Sequence, residues 1–454
     1  MPAGGGLLQL VATGKQDLFL TGNPQISFFK MVYRRHTNFA TESQPMYFDG
    51  TPNFGQRVTC LIPRRGDLLG RVYLDVTLPQ IYDTSGNPLS YTNSIGHALI
   101  TEITFEVGEQ EIDRQTGEWM EIWSQLTTPS GQRDALNQMI GRFEQYVPPN
   151  LQPGSASEGL RLLIPLQFYF CNNPGLYLPL LALQYHPIRI NITLTPLQNL
   201  FWINPATNLQ DPSNQDSWKP ACTTNVDCTT QIKNMMLWGD YVYLDVEERR
   251  MFVSQSHEYL IEQVQYTPPY SLTANQTTAT ISVEFNHPIK EFFFVCQRDE
   301  MINRNEWFNY SSLAINEPAP AAVLHYLNTF NNPDGRTDLI SAAKLQLDGY
   351  DRFAYRNPMY FRLQQPYDHH TYTPVFAYIY NYSFALRPED FQPTGTMNAS
   401  RIDSIIWQIQ MNPILSNPSI PVPQQRGPCH IVVYGHNYNV FRVINGFGGL
   451  LFTI

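Results

Sequence analysis

The sequence predicts an all-β protein made of two sandwiches in tandem. Apolar and polar residues alternate over many short segments, and turns rich in proline and glycine separate them, which is typical of antiparallel strands with one buried face. A polar stretch divides the 454-residue chain near its middle. Hydrophobic residues make up 43% of the chain and charged residues only 15%, against a usual ~25% charged. This composition is ample for a folded core and argues against a disordered protein.

Period-two alternation is clearest in five segments, three before the polar stretch and two after it. They are RVYLDVTLP (71–79), TEITFEVG (101–108), HPIRINITLTP (186–196), ATISVEFNHP (279–288) and RIDSIIWQIQM (401–411). In the first segment Val72 and Leu74 face one way, whereas Tyr73 and Asp75 face the other. Side chains on successive strand residues point to opposite faces of a sheet, so each segment predicts a half-buried strand.

One segment predicts a helix. In QTGEWMEIWSQLTT the apolar residues Trp119, Ile122, Trp123 and Leu126 recur at helical spacing, and Thr116 is a suitable N-cap. The helical pattern continues through RDALNQMIGRFEQY. We interpret the aromatic stripe as packing and not as a cofactor site.

The polar stretch predicts a boundary between about residues 205 and 238, because it is rich in Asn, Pro and Thr and has no periodicity. Strand-like sequence resumes at Trp238. Each half, at about 200 residues, is large enough for one sandwich of about eight strands. The predicted regions are an N-terminal arm (1–26), a first β domain (27–215), a linker (216–237) and a second β domain (238–454).

The charge is distributed unevenly. Residues 1–71 contain 8 Lys and Arg against 4 Asp and Glu, and the remainder contains 21 against 35. A general nucleic-acid-binding protein needs a concentrated basic face. The acidic main body argues against that class, so we expect no direct contact with nucleic acid.

The sequence predicts a protein that is made and kept in the cytoplasm. MPAGGGLLQLVATGK lacks the basic start and apolar run of a signal peptide, and no run approaches the ~20 apolar residues of a membrane span. Six cysteines are too few for a disulfide framework in a chain of this length. Cys222 and Cys228 could pair or hold a metal, although no nearby Cys/His pair completes a zinc set. The alternative is that they are reduced thiols.

The sequence contains no G-x-S-x-G, H-E-x-x-H or P-loop motif, so we expect no enzyme activity, no metal and no cofactor. Glu118 and Glu121 share a helix face as paired acids would, but no second motif supports a glycosidase, and we interpret them as the polar side of an amphipathic helix. His369 and His370 are adjacent, and we interpret them as part of a hydrogen-bonded turn.

Two further motifs have simple structural interpretations. The glycine cluster NGFGGL (445–450) has no helix after it, so it cannot hold a phosphate as a strand-loop-helix does. Arg65-Gly66-Asp67 spells an integrin-type tripeptide, but it comes immediately before a predicted strand, where Gly-Asp makes a natural turn.

Ordered sequence blocks along nearly the whole chain resemble the major capsid proteins of nucleocytoplasmic large DNA viruses, as in phycodnaviruses, iridoviruses and marseilleviruses. The blocks include LVATGKQDLFLTGNPQISFFKMVYRRHTNFA, IPRRGDLLGRVYLDVTLP, GHALITEITFEVGEQEIDRQTGEWMEIWSQLT, IPLQFYFCNNPGLYLPLLALQYHPIRINI, YVYLDVEERRMFVSQSHEYLIEQVQ, FNHPIKEFFFVCQ, YNYSFALRPEDFQPTGTMNASRIDS and YNVFRVINGFGGL.

This resemblance implies that the two β domains are consecutive eight-stranded jelly rolls with short helical insertions. It further implies that three chains form a pseudo-hexameric capsomer, and that capsomers tile an icosahedral shell over an internal lipid membrane. The implied partners are further copies of the chain, neighbouring capsomers, minor capsid and penton proteins, and membrane lipid. The implied location is the virion capsid, assembled in a viral factory in the host cytoplasm.

The resemblance also suggests a role for the N-terminal region. We expect residues 1–26 to form an extended arm that contacts minor capsid proteins or a neighbouring subunit. Aromatic residues after it, with Met31, would anchor the start of the first jelly roll, and two arginines would pair with acidic groups of a neighbour or with anionic lipid. The alternative is that both arginines are solvated within the chain. The candidate interaction residues are Phe28, Phe29, Tyr33, Arg34 and Arg35.

Two other functions are consistent with a β-sandwich chain. One is a carbohydrate- or receptor-binding jelly roll on a surface, for which the loop 311–340, with Tyr326 and residues Asn328 to Asn332, is the candidate site. The other is a β-sandwich glycosidase, which would use Glu118 as a catalytic acid.

Overall fold

The computed structural model describes residues 4–31, 34–81, 90–142, 160–202, 231–274, 276–312, 336–412 and 427–453. Two compact units are present, residues 1–39 and residues 40–454. The larger unit contains all the sheets discussed below.

The helices are α1 (Gly4–Val11), α2 (Asp17–Thr21), α3 (Ile95–Ala98), α4 (Gly117–Thr127), α5 (Ser130–Ile140), α6 (Tyr169–Asn172), α7 (Val246–Ser254), α8 (Asp299–Asn303) and α9 (Gln365–His369). The strands are β1 (Phe39–Met46), β2 (Arg57–Leu61), β3 (Leu68–Leu78), β4 (Ser90–Tyr91), β5 (Ile100–Val107), β6 (Gln110–Thr116), β7 (Leu160–Pro165), β8 (Ile188–Leu194), β9 (Phe201–Trp202), β10 (Asn234–Leu244), β11 (His257–Tyr266), β12 (Tyr270–Leu272), β13 (Thr278–Ser282), β14 (Pro288–Arg298), β15 (Ile340–Leu347), β16 (Tyr350–Asp351), β17 (Tyr380–Ser383), β18 (Met397–Asn398), β19 (Ile405–Met411), β20 (Cys429–Ile444) and β21 (Phe447–Leu450).

The first sandwich consists of two four-stranded sheets with one shared core. One sheet has the order β1-β10-β3-β7 and the other β2-β8-β5-β6. Leu74 of β3, Phe105 of β5 and Ile190 of β8 are fully buried in the core between them. The alternating segments predicted from the sequence at 71–79, 101–108 and 186–196 correspond to these three strands.

Strand β10 runs across the predicted start of the second β domain at Trp238. It pairs antiparallel with β3 in the first sandwich, with Trp238 opposite Tyr73. Residues 238–244 therefore belong to a sheet of the first sandwich, because their backbone completes that ladder. Most of the predicted linker lies outside the described residues.

The second sandwich repeats this plan. One sheet has the central order β11-β20-β14-β17, with β12, β18 and β21 added at its strands, and the other has the order β13-β19-β15-β16. Trp407 of β19 is fully buried, and its ring packs against Phe294 of β14 with centroids 4.9 Å apart. The predicted fold class, two consecutive eight-stranded jelly rolls with short helical insertions, is confirmed.

The predicted helix is present as α4, and α5 extends the helical region to Ile140. The Trp119 amide donates to the Thr116 hydroxyl at 3.1 Å, so Thr116 is the N-cap as predicted. Gly141 ends α5 in the left-handed conformation, at φ 69°. The rest of the predicted continuation lies outside the described residues. None of the described helices has the length and apolarity needed to cross a bilayer.

The N-terminal unit differs from the predicted extended arm, because it contains the helices α1 and α2. The Asp17 carboxylate accepts the Gly14 amide at 2.7 Å in the turn before α2, and the Thr21 hydroxyl donates to the Asp17 carbonyl at 2.8 Å. An acidic side chain at a helix start is favourable, and this local signal explains why α2 forms.

Candidate assembly interface

The aromatic residues after α2 are almost fully exposed. Phe28 is 90% exposed, Phe29 100% and Met31 99%, and Tyr33 lies outside the described residues. The structure therefore does not bury the first three side chains as the predicted anchoring role requires. Large exposed apolar side chains are typical of surfaces that bind another molecule, so their role in interaction stays a prediction.

Arg34 and Arg35 are also exposed. In the described part of the chain, neither guanidinium forms an ion pair. Both arginines are therefore solvated in the isolated chain and are available to bind an acidic partner.

Exposed apolar side chains extend towards the N-terminus over residues 7–31, which we call the N-terminal apolar segment. Besides Phe28, Phe29 and Met31, the exposed members are Leu7, Leu8, Leu10, Val11, Phe19, Leu20 and Ile26. So many exposed apolar side chains in one short segment are unusual for a monomeric soluble protein.

Helix α4 joins the two jelly rolls. It follows β6 of the first jelly roll, yet Trp119 packs against Phe293 of β14 and Tyr434 of β20, with ring centroids 5.3 Å and 5.7 Å apart. We call this packed region the α4 junction. Its buried apolar members are Trp119, Ile122, Leu126, Val264, Phe293, Val295, Tyr310, Tyr378, Ile379 and Tyr434. The aromatic stripe of the helix is thus a packing surface, as the sequence predicted.

A buried ion pair lies on the first-domain side of α4. The Glu121 carboxylate lies 2.8 Å from the Arg142 guanidinium and 2.7 Å from Nδ1 of His97, and all three side chains are buried. Burial alone would raise the pKa of Glu121, but Arg142 and His97 hold it well below its usual range. Glu121 is therefore an ionised, fully paired group.

A second set of buried charges lies on the other side of the junction. Lys290 Nζ lies 2.6 Å from Glu262, and His370 lies 3.1 Å from Glu291 and 2.8 Å from Glu389. Burial would lower the pKa of His370, but the two carboxylates raise it to about 9. The imidazole is therefore charged at neutral pH and is paired on both nitrogens.

The acidic residues of α4 are not arranged for catalysis. The Glu118 carboxylate accepts the Tyr310 hydroxyl at 2.9 Å and also the Tyr434 hydroxyl. The Glu121 carboxylate forms an ion pair with Arg142. Glu121 is buried and Glu118 is half-buried, so the prediction that they form the polar side of the helix is wrong. Tyr310 and Tyr434 of the second jelly roll cover Glu118, whereas His97 and Arg142 of the first cover Glu121.

The adjacent histidines also differ from the predicted turn. His370 is buried between two carboxylates, whereas His369 Nδ1 lies 3.1 Å from the Leu386 carbonyl. In the parts of the chain that the structure describes, no group of three His, Cys, Asp or Glu side chains is placed to hold a metal ion. Cys222 and Cys228 lie outside those parts.

The Arg65-Gly66-Asp67 tripeptide and the glycine cluster at 445–450 both have structural roles. Asp67 is buried and accepts the Leu244 amide at 2.9 Å and the Arg249 guanidinium at 2.8 Å, so its carboxylate is not free for a receptor. The glycine cluster forms the hairpin between β20 and β21. Asn445 and Gly446 have φ values of 52° and 85°, as a two-residue hairpin turn requires.

Sequence reasoning missed the charges of the α4 junction. Lys290 and Glu291 are fully buried in β14, inside the otherwise apolar run IKEFFFV. The signal that could have revealed them is a pair of adjacent charged residues within an apolar strand. Charged side chains in such a strand are buried only when they are paired, so the run predicts buried ion pairs.

Two family models match consecutive parts of the chain. The model described as "Major capsid protein N-terminus" matches residues 27–245, and the model described as "Large eukaryotic DNA virus major capsid protein" matches residues 248–449. Together they cover most of the chain.

Two known relatives are similar to the chain over nearly the whole length of both proteins. The chain is 36% identical over 537 residues to the major capsid protein of Phaeocystis pouchetii virus, with 99% of each chain covered. It is 37% identical over 472 residues to that of Pyramimonas orientalis virus, covering 99% of this chain and 100% of the relative. The crystal structure of PBCV-1 VP54 superposes with a TM-score of 0.72 at 30% identity, covering 94% of this chain and 100% of that chain.

The matches agree with the two jelly rolls and with the resemblance that the sequence blocks carry. The relatives are structural proteins of virus capsids. The chain belongs to the family of major capsid proteins of large eukaryotic DNA viruses and is a structural component of the virion capsid.

Proposed function

We propose that three copies of the chain form a pseudo-hexameric capsomer, and that these capsomers tile an icosahedral shell. The α4 junction is the observation that carries this proposal. Trp119 packs against the second jelly roll and Glu118 accepts hydrogen bonds from Tyr310 and Tyr434, and these contacts tie the two jelly rolls into one body. The chain therefore supplies two similar sandwiches in a fixed relation. Three such bodies around a three-fold axis give six sandwiches in near six-fold arrangement.

The N-terminal apolar segment is the proposed contact with the rest of the shell. Phe28 and Phe29 would bury their rings on a minor capsid protein, a penton protein or a neighbouring subunit. Arg34 and Arg35 would pair there with carboxylates or with the headgroups of an internal membrane. The exposure of all four side chains supports this role. Tyr33 belongs to the same proposal.

The division into regions is also a proposal. We keep the N-terminal region, the two jelly rolls and the linker predicted from the sequence, but place the end of the first jelly roll at Leu244. The pairing of β10 with β3 supports this change.

The role is structural and not enzymatic, and direct contact with nucleic acid is not expected. The occupied carboxylates of Glu118 and Glu121 support the first statement. The formal net charge of -10 supports the second, because nucleic-acid binding needs a basic face. Assembly would take place in the host cytoplasm. The alternative carbohydrate-binding loop lies almost entirely outside the described residues, so no observation favours that function.

The native mass of the purified 52.2 kDa chain, measured by light scattering after size exclusion, tests the trimer. We expect a species of about 157 kDa that persists on dilution, as an obligate trimer would. A folded monomer at micromolar concentration would contradict the proposal.

Deletion of residues 1–26 tests the arm separately. We expect the truncated chain to keep its thermal unfolding temperature and to form trimers, but to yield fewer shells when it is co-expressed with minor capsid proteins. Shell yield measured by sedimentation equal to that of the full chain would refute a role of the arm in assembly.

A further inference from the structure

A cavity of about 510 Å³ lies beside the α4 junction. Ile100 and Pro196 of the first jelly roll and Val295, Val432 and Phe308 of the second contribute to its wall. The surface it exposes is mainly apolar, and its volume falls within the ~300–1,000 Å³ that is typical of small-molecule sites. The cavity therefore has the size and lining of a site for a small apolar ligand.

Several polar groups of the wall already have partners within the protein. The Thr195 hydroxyl donates to the Ala98 carbonyl at 2.7 Å, and the Gln297 amide donates to the Glu306 carbonyl at 2.9 Å. The Glu118 carboxylate accepts two tyrosine hydroxyls. These groups therefore do not need a hydrogen bond from a ligand.

His97 is different. It lines the cavity and is fully buried, and its Nδ1 lies 2.7 Å from the Glu121 carboxylate. Its other nitrogen, Nε2, is buried without a hydrogen-bond partner among the described residues. A buried polar atom that lacks a partner costs free energy, so a ligand that supplies one is stabilised. His430 also lines the cavity, and its Nδ1 is likewise buried without a hydrogen-bond partner in the part of the chain that the structure describes. Its side chain is 30% exposed, however, whereas that of His97 is fully enclosed.

The environment decides which hydrogen bond Nε2 can make. The Glu121 carboxylate can only accept, so the proton on Nδ1 of His97 is fixed there. Burial lowers the pKa of His97, which keeps the imidazole neutral. In a neutral ring protonated on Nδ1, Nε2 is an acceptor, and it needs a donor such as a hydroxyl group.

We propose that the cavity binds a neutral, mainly aliphatic molecule with one hydroxyl group, which donates its proton to Nε2 of His97. Molecules of the aliphatic alcohol class meet both requirements. A carboxylate does not, because it brings no proton to Nε2 and places a charge beside Glu118. Such a ligand fills the space between the two jelly rolls and stabilises their packing, since it binds only the folded chain.

Two isomeric probes and an anion test the proposal on the full chain. Octan-1-ol and heptyl methyl ether have the same formula and length, but only the alcohol has a donor. Titration calorimetry below the aggregation limit of the probes gives their dissociation constants. We expect the alcohol to bind roughly three- to tenfold more tightly than the ether, the effect of one buried hydrogen bond, and octanoate to bind more weakly than the alcohol. Equal affinity of the two isomers would overturn the recognition of the hydroxyl group by His97.

Variants locate the site. His97→Asn keeps an amide donor for Glu121, but its shorter side chain has no acceptor at the position of Nε2, so the alcohol and the ether should then bind equally. Ala98→Leu places a larger side chain in the cavity and should weaken both probes at least tenfold. Ala182→Leu is the matched control, because Ala182 is also buried but does not line the cavity, and the affinities should not change.

Undiminished binding to the Ala98→Leu variant would overturn the cavity as the site and would indicate nonspecific adsorption. This comparison does not depend on the folding of the His97→Asn variant.

Discussion

At the residue scale, the buried charges of the α4 junction are arranged in pairs. Glu121 lies against Arg142, and His370 lies between Glu291 and Glu389. A buried ion pair adds little to stability by itself, because desolvation offsets the attraction. Loss of one partner, however, leaves an uncompensated charge inside the protein. Each pair lies within one jelly roll, so the pairs penalise rearrangements inside that jelly roll that would separate the partners.

Glu121→Gln should lower the free energy of unfolding by about 3–5 kcal/mol, because Arg142 then stays buried without a counter-charge. Urea unfolding followed by fluorescence measures this. Arg442→Gln is the control, since it breaks the pair between Arg442 and Glu258, whose side chains are 40% and 53% exposed. An exposed pair contributes at most about 1 kcal/mol. Equal effects of the two substitutions would contradict the role assigned to the buried pair.

His370 should make stability fall at alkaline pH. Its pKa is raised to about 9 in the folded chain from the ordinary value of 6.5. The stabilisation is therefore complete below pH 6.5 and is lost as the pH rises to about 9. The expected loss is on the order of 3 kcal/mol.

Urea unfolding between pH 6 and 9.5 measures this loss, with the His370→Gln variant as the reference. The variant lacks the titrating group, so its stability should change less over this interval. Parallel pH profiles of the two proteins would show that His370 does not carry the effect.

At the element scale, local sequence signals explain the strands and α4 but not what α4 touches. Strands β3, β5 and β8 follow from period-two alternation, and the start of α4 follows from Thr116, because these signals depend on neighbouring residues. The contact of Trp119 with Tyr434 joins residues far apart in the chain, and no local period encodes it. The same limit explains why the contacts of Glu118 with Tyr310 and Tyr434 were not predicted.

Thr116→Ala should destabilise the protein by about 0.5–2 kcal/mol, because the Trp119 amide at the start of α4 loses its acceptor. Thermal or urea unfolding measures the change. Thr116→Ser is the matched control, since its hydroxyl can still cap the helix, and its stability should stay closer to that of the unmodified chain. Equal losses for both variants would assign the effect to the methyl group and not to the cap.

At the scale of the whole molecule, the two jelly rolls could be predicted from the sequence, but the end of the first could not. The strand-like stretch after the polar segment looked like the start of a new domain. Strand β10 returns to the first sandwich, however, and only the pairing partner β3 reveals this. The exposure of Phe28 and Phe29 was also beyond prediction, since apolar residues in a sequence fit a core and a binding surface equally well.

The central claim is that one chain supplies two of the six jelly rolls of a capsomer. Electron microscopy of the purified oligomer tests it most directly. The account predicts particles with three-fold symmetry, a near-hexagonal outline and six sandwich-shaped densities around one axis. Particles with only two such densities, or an oligomer without a three-fold axis, would contradict it.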